Sequence, residues 1–214
     1  MLPSELTAAI FDWDGTIVDS AESTFRVYRD LFEGLGYPFD HTRFVETYSP
    51  DWYHTYRMLG IPESEWEAVN AKWLALHGEE DYGLMEGAVE ALERLKTKGV
   101  RLGVVTSGSR ERVEEQARSF NLGRLFDTFV FSEDVVRKKP DPEGLRVGLE
   151  KMGLGSHEVV YLGDSPEDIQ MAKSAGVFAI AIPGGFPNRE ALESSAPDLF
   201  ALTLHDAVER LMAI

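Results

Sequence analysis

The stretch FDWDGTIVDS, residues Phe11 to Ser20, sets two carboxylates two positions apart where an apolar run ends. The run before them, Leu6 to Phe11, carries Ala8, Ala9, Ile10 and Phe11 and reads as a buried strand. Side chains alternate faces along an extended chain, so Asp12 and Asp14 project together and Trp13 projects the other way. Two like charges about 4 Å apart repel by roughly 4 kcal/mol at an effective dielectric near 20. A cation or a proton has to offset that repulsion, and an ordinary turn supplies neither.

The whole chain sets limits on what that site can be. Its 214 residues suit one large domain, or one domain carrying a smaller insertion. Hydrophobic residues make up 43% and charged residues 27%, the balance of a globular chain with a sizeable core. Asp and Glu outnumber Lys and Arg by 37 to 21, a formal net charge of -16. Nucleic acids and anionic membranes both need clustered positive charge, so neither is an expected partner. An anionic substrate therefore needs a local positive site. No cysteine occurs, which excludes disulfides, thiolate zinc sites and a cysteine nucleophile. The N-terminus, with Glu5 and no basic segment before its apolar run, is unlike a secretory leader. No stretch approaches the ~20 apolar residues of a membrane helix, so a cytoplasmic protein is expected. The sequence leaves the oligomeric state open.

Short apolar runs alternate with helical patterns along most of the chain. After Leu6–Phe11 come Arg101–Val105, Thr128–Phe131, Val159–Leu162 and Val177–Ile182. Between them Val113, Ala117 and Phe120, then Leu145, Leu149 and Met152, then Ile169, Ala172 and Ala175 repeat at near-helical spacing. This order predicts an α/β fold, a Rossmann-like parallel sheet with helices on both faces. Residues 19–83 break the rhythm. They show no strand pattern, only stripes such as Phe25, Tyr28, Phe32 and Leu35, and Trp66, Val69, Trp73 and Leu76. Ser64 and Glu67 have the spacing of a capping box at the start of the second stripe. The segment reads as an inserted all-helical domain between core segments 1–18 and 84–214, with about 65 residues at the lower end of domain size.

In an open parallel sheet, ligands bind beyond the carboxyl ends of the strands. Polar residues stand at each such end: Asp12, Asp14, Gly15 and Thr16; Thr106, Ser107, Gly108 and Ser109; Gly163, Asp164, Ser165 and Asp168. Arg137-Lys138-Lys139-Pro140 is the only run of three adjacent basic residues. Taken singly, some of these have plainer explanations. Ser165-Pro166-Glu167-Asp168 fits a helix start with Ser as N-cap and Pro at the first position. Thr106 to Ser109 equally fits a strand-to-helix turn, and the lysines fit solvated surface charge.

Taken together, these pieces resemble the haloacid dehalogenase-like superfamily in its phosphatase branch. Asp12-Trp13-Asp14-Gly15-Thr16 is similar to that family's first motif, Thr106 after its strand to the second, Lys139-Pro140 to the third, and Gly163-Asp164-Ser165 with Asp168 to the fourth. The helical region after the first motif is similar in position to the inserted cap of the phosphoglycolate phosphatase group. The resemblance implies a Mg²⁺-dependent phosphatase acting on a small phosphorylated metabolite, phosphoglycolate-like or a sugar phosphate. Asp12 is then the nucleophile that forms an aspartyl phosphate, and Asp14 the acid and base, aimed by Thr16. Asp12, the Asp14 carbonyl and Asp164 are the implied Mg²⁺ ligands, with Asp168 in or behind that shell. Thr106, Ser107, Gly108 and Lys139 are the implied phosphate-binding group, while Arg137 and Lys138 are expected to face solvent.

Single residues separate the branches of the family. Dehalogenases carry Tyr where Asp14 stands. Phosphonoacetaldehyde hydrolases often share Trp13 but lack the second Asp and use a cap lysine; Lys72 is the only lysine between residues 19 and 83. A phosphomutase of the β-phosphoglucomutase type is the enzymatic alternative, and a phospho-accepting signalling module the alternative of another class. Trp52, Tyr53, Tyr56 and Leu59 read as one packed helix stripe, with Arg57, Arg43 or His54 as candidate contacts to a second anionic group.

Overall fold

The computed structural model describes residues 6–49, 52–78 and 80–213. Glu5 and Asp51 lie outside them. The chain runs through β1 (Ala8–Phe11), β2 (Val18–Asp19), α1 (Ala21–Gly34), α2 (His41–Thr47), α3 (Trp52–Met58), α4 (Trp66–Gly78) and β3 (Gly83–Leu84). It continues through α5 (Ala88–Thr97), β4 (Arg101–Val105), α6 (Arg110–Ser119), β5 (Thr128–Val130), α7 (Glu143–Met152), β6 (Val159–Gly163) and α8 (Pro166–Ser174), and ends with β7 (Phe178–Ala181), α9 (Arg189–Ser194), β8 (Leu199–Phe200) and α10 (Leu204–Met212).

Six strands form a parallel sheet in the order β5-β4-β1-β6-β7-β8. β1 sits inside it, with Ala8 opposite Arg101 on one side and Val159 on the other. Its alternate residues feed two different cores. Ala9 and Phe11 pack with Leu92 and Leu95 of α5, Val113 of α6 and Val208 of α10. Ala8 and Ile10 pack with Leu145 and Leu149 of α7 and Ile169 of α8. Both faces are covered, which is why these strands read as continuous apolar runs instead of alternating ones. The five anticipated strands are present, and two-residue β8 extends the sheet at one edge.

Helices α1 to α4 gather around an aromatic cluster of their own. Phe32 and Tyr56 are fully buried there, each worth about 2–3 kcal/mol of apolar burial. Trp52 stacks on Trp73 and Tyr53 on Trp66, so the anticipated stripes are packing surfaces. Two details differ from expectation. A 3-10 turn over Glu63–Glu65 precedes α4, so Ser64 lies inside that turn and does not cap the helix. The ends of the helical segment also contain strand: β2 pairs antiparallel with β3, Val18 opposite Leu84 and Asp19 opposite Gly83. Among the described residues no helix is long and apolar enough to cross a membrane.

Candidate active site

Neighbouring strand ends bring the separate acidic motifs together. Asp12 follows β1, Asp164 follows β6 and Thr106 follows β4, and these three strands are adjacent in the sheet. Carboxylate oxygens of Asp12, Asp164 and Asp168 lie within 4.8 Å of one another, all three residues buried. Lys139 reaches in from the loop before α7 and donates to Asp12 Oδ1 at 2.7 Å; its ammonium is also 2.7 Å from Asp168 Oδ1. Asp168 is fully occupied. Its Oδ2 accepts from the amide and hydroxyl of Ser165 at 3.1 and 2.8 Å, and its Oδ1 from the Tyr161 hydroxyl at 2.9 Å. Ser165 in turn caps α8, with Pro166 in its first turn. The plain helix-start reading of this segment holds, and the same Asp168 also meets the Lys139 ammonium.

Burial sets the electrostatics. It pushes the Asp12 carboxyl up to about 7, against the attraction of Lys139 and with help from Asp168. Asp164 is pushed well above the usual carboxylate range by burial and by Asp12 and Asp168. Burial opposes the Lys139 charge, but Asp12 and Asp168 hold its ammonium above the ordinary lysine value. Asp164 Oδ2 is buried and has no hydrogen-bond partner among the described residues. Gly15, at φ +71°, and Gly184 pass beside that oxygen where a Cβ would collide with it. An orphaned carboxylate oxygen beside a second, electrostatically destabilised carboxylate is a donor set that fits a small divalent cation taking oxygen ligands.

Asp14 takes a different partner from the rest of the acid group. Its carboxylate accepts a bidentate pair from Arg112 on α6, Nη1 to Oδ1 at 2.9 Å and Nη2 to Oδ2 at 2.6 Å. Burial pushes Asp14 up, but Arg112 outweighs it and holds the carboxyl below its ordinary value. The repulsion implied by Asp12 and Asp14 is thus met by two separate cations of the chain, Lys139 and Arg112. Thr16 was expected to aim Asp14, yet its buried hydroxyl has no partner among the described residues; Arg112 holds Asp14 instead. Trp13 turns inward, as alternation requires, and donates to Gln116 Oε1 at 2.8 Å.

A cavity of about 250 Å³ opens over these residues, between the strand ends and helices α1, α3 and α4. Asp12, Asp14, Thr106, Ser107, Gly108, Lys139 and Asp164 line it; Asp168 lies behind Lys139 and does not. The Gly108 amide donates to Thr106 Oγ1 at 3.0 Å, which leaves the Thr106 hydroxyl proton available to a ligand. Lys138 is exposed, as expected, and also borders the cavity with its ammonium 5.0 Å from the centre of the Trp52 ring. Arg137 is exposed and paired with Glu143, as expected. Arg43, His54 and Arg57 do not line the cavity: Arg43 pairs with Glu46 and Arg57 lies over Trp66.

Sequence reasoning missed Arg112, Gln116 and His77, which also sit at this site. Arg112 and Gln116 are four apart and flank the apolar stripe of Val113 and Ala117, so they share one edge of α6. That spacing was the available signal. His77 lies between the rings of Trp73 and Tyr82, and burial and Arg112 bring its imidazole down to about 4.

Comparisons with known proteins agree with the fold. The family model for haloacid dehalogenase-like hydrolases matches residues 9–182. Pyrophosphatase PpaX of Bacillus velezensis is 28% identical over 210 residues, 96% of each chain. Phosphoglycolate phosphatase of Escherichia coli is 31% identical over 133 residues, 62% of this chain and 53% of that one. The crystal structure of a haloacid dehalogenase-like hydrolase from Bacteroides fragilis superposes with a TM-score of 0.87 at 25% identity, covering 95% of this chain and all of that one. With the family model spanning β1 to the end of β7, the chain belongs to the haloacid dehalogenase-like hydrolases.

Proposed function

We propose that this protein is a Mg²⁺-dependent phosphoric monoester hydrolase that acts on a small phosphorylated metabolite through an aspartyl phosphate on Asp12. The observation that carries this reading is the Asp12 carboxylate at a strand end, held by Lys139 and facing the unpartnered Asp164 Oδ2 across an acidic cluster. Asp12 attacks phosphorus; the new O–P bond forms as the ester P–O bond breaks, and the electron pair stays on the leaving oxygen. Asp14, held ionised by Arg112 at rest, takes up a proton from solvent as it leaves that pair and gives it to the leaving oxygen; it then takes one from the water that attacks the aspartyl phosphate, the Asp12–phosphorus link breaks, and Asp12 is regenerated. Thr106 donates its hydroxyl to a phosphoryl oxygen, and Lys139 offsets charge between phosphate and Asp12. Mg²⁺, held by Asp12, Asp164 and the Asp14 carbonyl with Asp168 behind, neutralises phosphoryl charge when bound. Residues 19–83 act as a cap on a core of residues 1–18 and 84–214, closing the cavity against water. The small cavity suits a compact substrate, and a cytoplasmic setting suits a metabolite.

The test is a panel of pyrophosphate, phosphoglycolate and glucose 1-phosphate, assayed with Mg²⁺ and with chelator. Phosphate release is expected only with Mg²⁺, and none from Asp12→Asn. Turnover that survives Asp12→Asn refutes the assigned nucleophile. Conversion of glucose 1-phosphate to the 6-phosphate without phosphate release points to a phosphomutase.

A further inference from the structure

We infer that Arg112 selects substrates whose leaving portion carries a second anionic group, by binding that group on the Nε/Nη2 edge of its guanidinium. The inference rests on the phosphohydrolase reading above and names the substrate class that reading leaves open. Arg112 has five N–H groups. Nη1 serves Asp14 Oδ1 and Gln116 Oε1, at 2.9 and 3.2 Å, and Nη2 serves Asp14 Oδ2 at 2.6 Å. The Nε–H and the second Nη2–H have no hydrogen-bond partner among the described residues. A planar guanidinium presents these two donors in parallel, the arrangement that matches two oxygens of a carboxylate or phosphate.

Position points the same way. Arg112 is the one guanidinium among the described residues that lines the cavity, and its side chain is 13% exposed. A Cβ at Gly108 would collide with Arg112 Nη2 and stand 2.8 Å from Val113 Cγ2. The missing side chain is what lets the guanidinium lie against the Thr106–Gly108 loop. Arg112 is also pinned to Asp14, the group that faces the leaving oxygen in the proposed reaction. The other deep cation, Lys139, is committed to Asp12 and Asp168, and Lys138 sits over Trp52. A sugar hydroxyl offers this edge one neutral acceptor, whereas the second phosphate of a pyrophosphate or the carboxylate of a phosphorylated hydroxy acid offers two charged oxygens at matching spacing.

The experiment compares binding of two non-reacting probes, methylenediphosphonate and orthophosphate, by calorimetry with Mg²⁺ present. Wild type is expected to bind the bisphosphonate more tightly. Arg112→Gln is expected to weaken it about 10- to 100-fold, the scale of a charge-assisted bidentate contact, and orthophosphate by less than about threefold. Arg112→Lys keeps a positive charge beside Asp14 without the paired donors, so it guards against misfolding and is expected to show the same selective loss. Equal losses for both probes, or no preference in wild type, overturn the inference and leave Arg112 as a positioning residue for Asp14. Because neither probe reacts, this outcome is independent of whether Asp12→Asn abolishes turnover.

Discussion

Asp12→Asn removes a charge that the metal-free fold tolerates poorly. Burial carries the Asp12 carboxyl from 3.8 to about 7 despite Lys139, which disfavours its charged form by about 4 kcal/mol at about 1.4 kcal/mol per pH unit. Below pH 3.8 the carboxyl is protonated in both folded and unfolded chains, and Asp and Asn should be nearly equivalent. As pH rises from 3.8 to about 7, the unfolded chain loses this proton while the folded chain keeps it, so wild type loses stability across that window, the loss is complete above 7, and the variant does not show it. Asparagine can still accept from Lys139 but forfeits the ion pair, so a net gain of about 2 kcal/mol at pH 8 is expected. For a chain of this size that is roughly 4–8 °C in Tm. Mg²⁺ should reverse the order. At 100 times its Kd it adds about 2.7 kcal/mol to wild type and much less to the variant. The assay is thermal unfolding of both proteins at pH 4.5 and 8, with chelator and with Mg²⁺. A metal-free wild type that is as stable as Asp12→Asn at pH 8 would refute the electrostatic account of the acid cluster.

Two further substitutions probe the surroundings of the cluster. In Gly184→Ala the new Cβ meets Asp164 Oδ2 and stands 2.6 Å from the Gly15 carbonyl, so Mg²⁺-dependent turnover should fall at least about tenfold; unchanged kinetics would show that the cluster needs no such clearance. His77 holds a proton only below about 4 in the folded chain, against 6.5 unfolded, so wild type loses stability as pH falls from 6.5 towards 4. That loss is about 3 kcal/mol, and His77→Gln should lack it; urea melts showing the same loss of unfolding free energy between pH 7 and 4.5 in both proteins would contradict the assignment.

The parts of the fold that the sequence made legible are those with a physical signature in one dimension. Strands buried on both faces read as unbroken apolar runs, which is why β1, β4, β5, β6 and β7 were identified. Two-residue strands such as β2, β3 and β8 have no periodicity to detect, and they exist only through their partners. At the site, the acids at strand ends could be assembled because topology fixes where those ends meet, and Lys139 was found by its place before Pro140 in the motif it resembles. Arg112 could not, because its significance lies in the face of α6 that turns toward Asp14, and Arg110 on the same helix looks alike in sequence but pairs with Asp134. Thr16 fails for the converse reason: adjacency to Asp14 suggested a hydrogen bond, whereas after the turn at Gly15 the hydroxyl is buried without one among the described residues.

The small ribbon of β2 and β3 plants both feet of a long excursion on adjacent rungs. Whatever chain is spliced between Asp19 and Gly83, the span to be bridged is one interstrand spacing, about 5 Å. The register of β1 against β4 and β6 is therefore indifferent to how many helices the excursion holds. With residues 19–83 as the proposed cap, such an architecture separates two kinds of change: the roof can be rebuilt for a new ligand while the strand ends beneath keep their geometry.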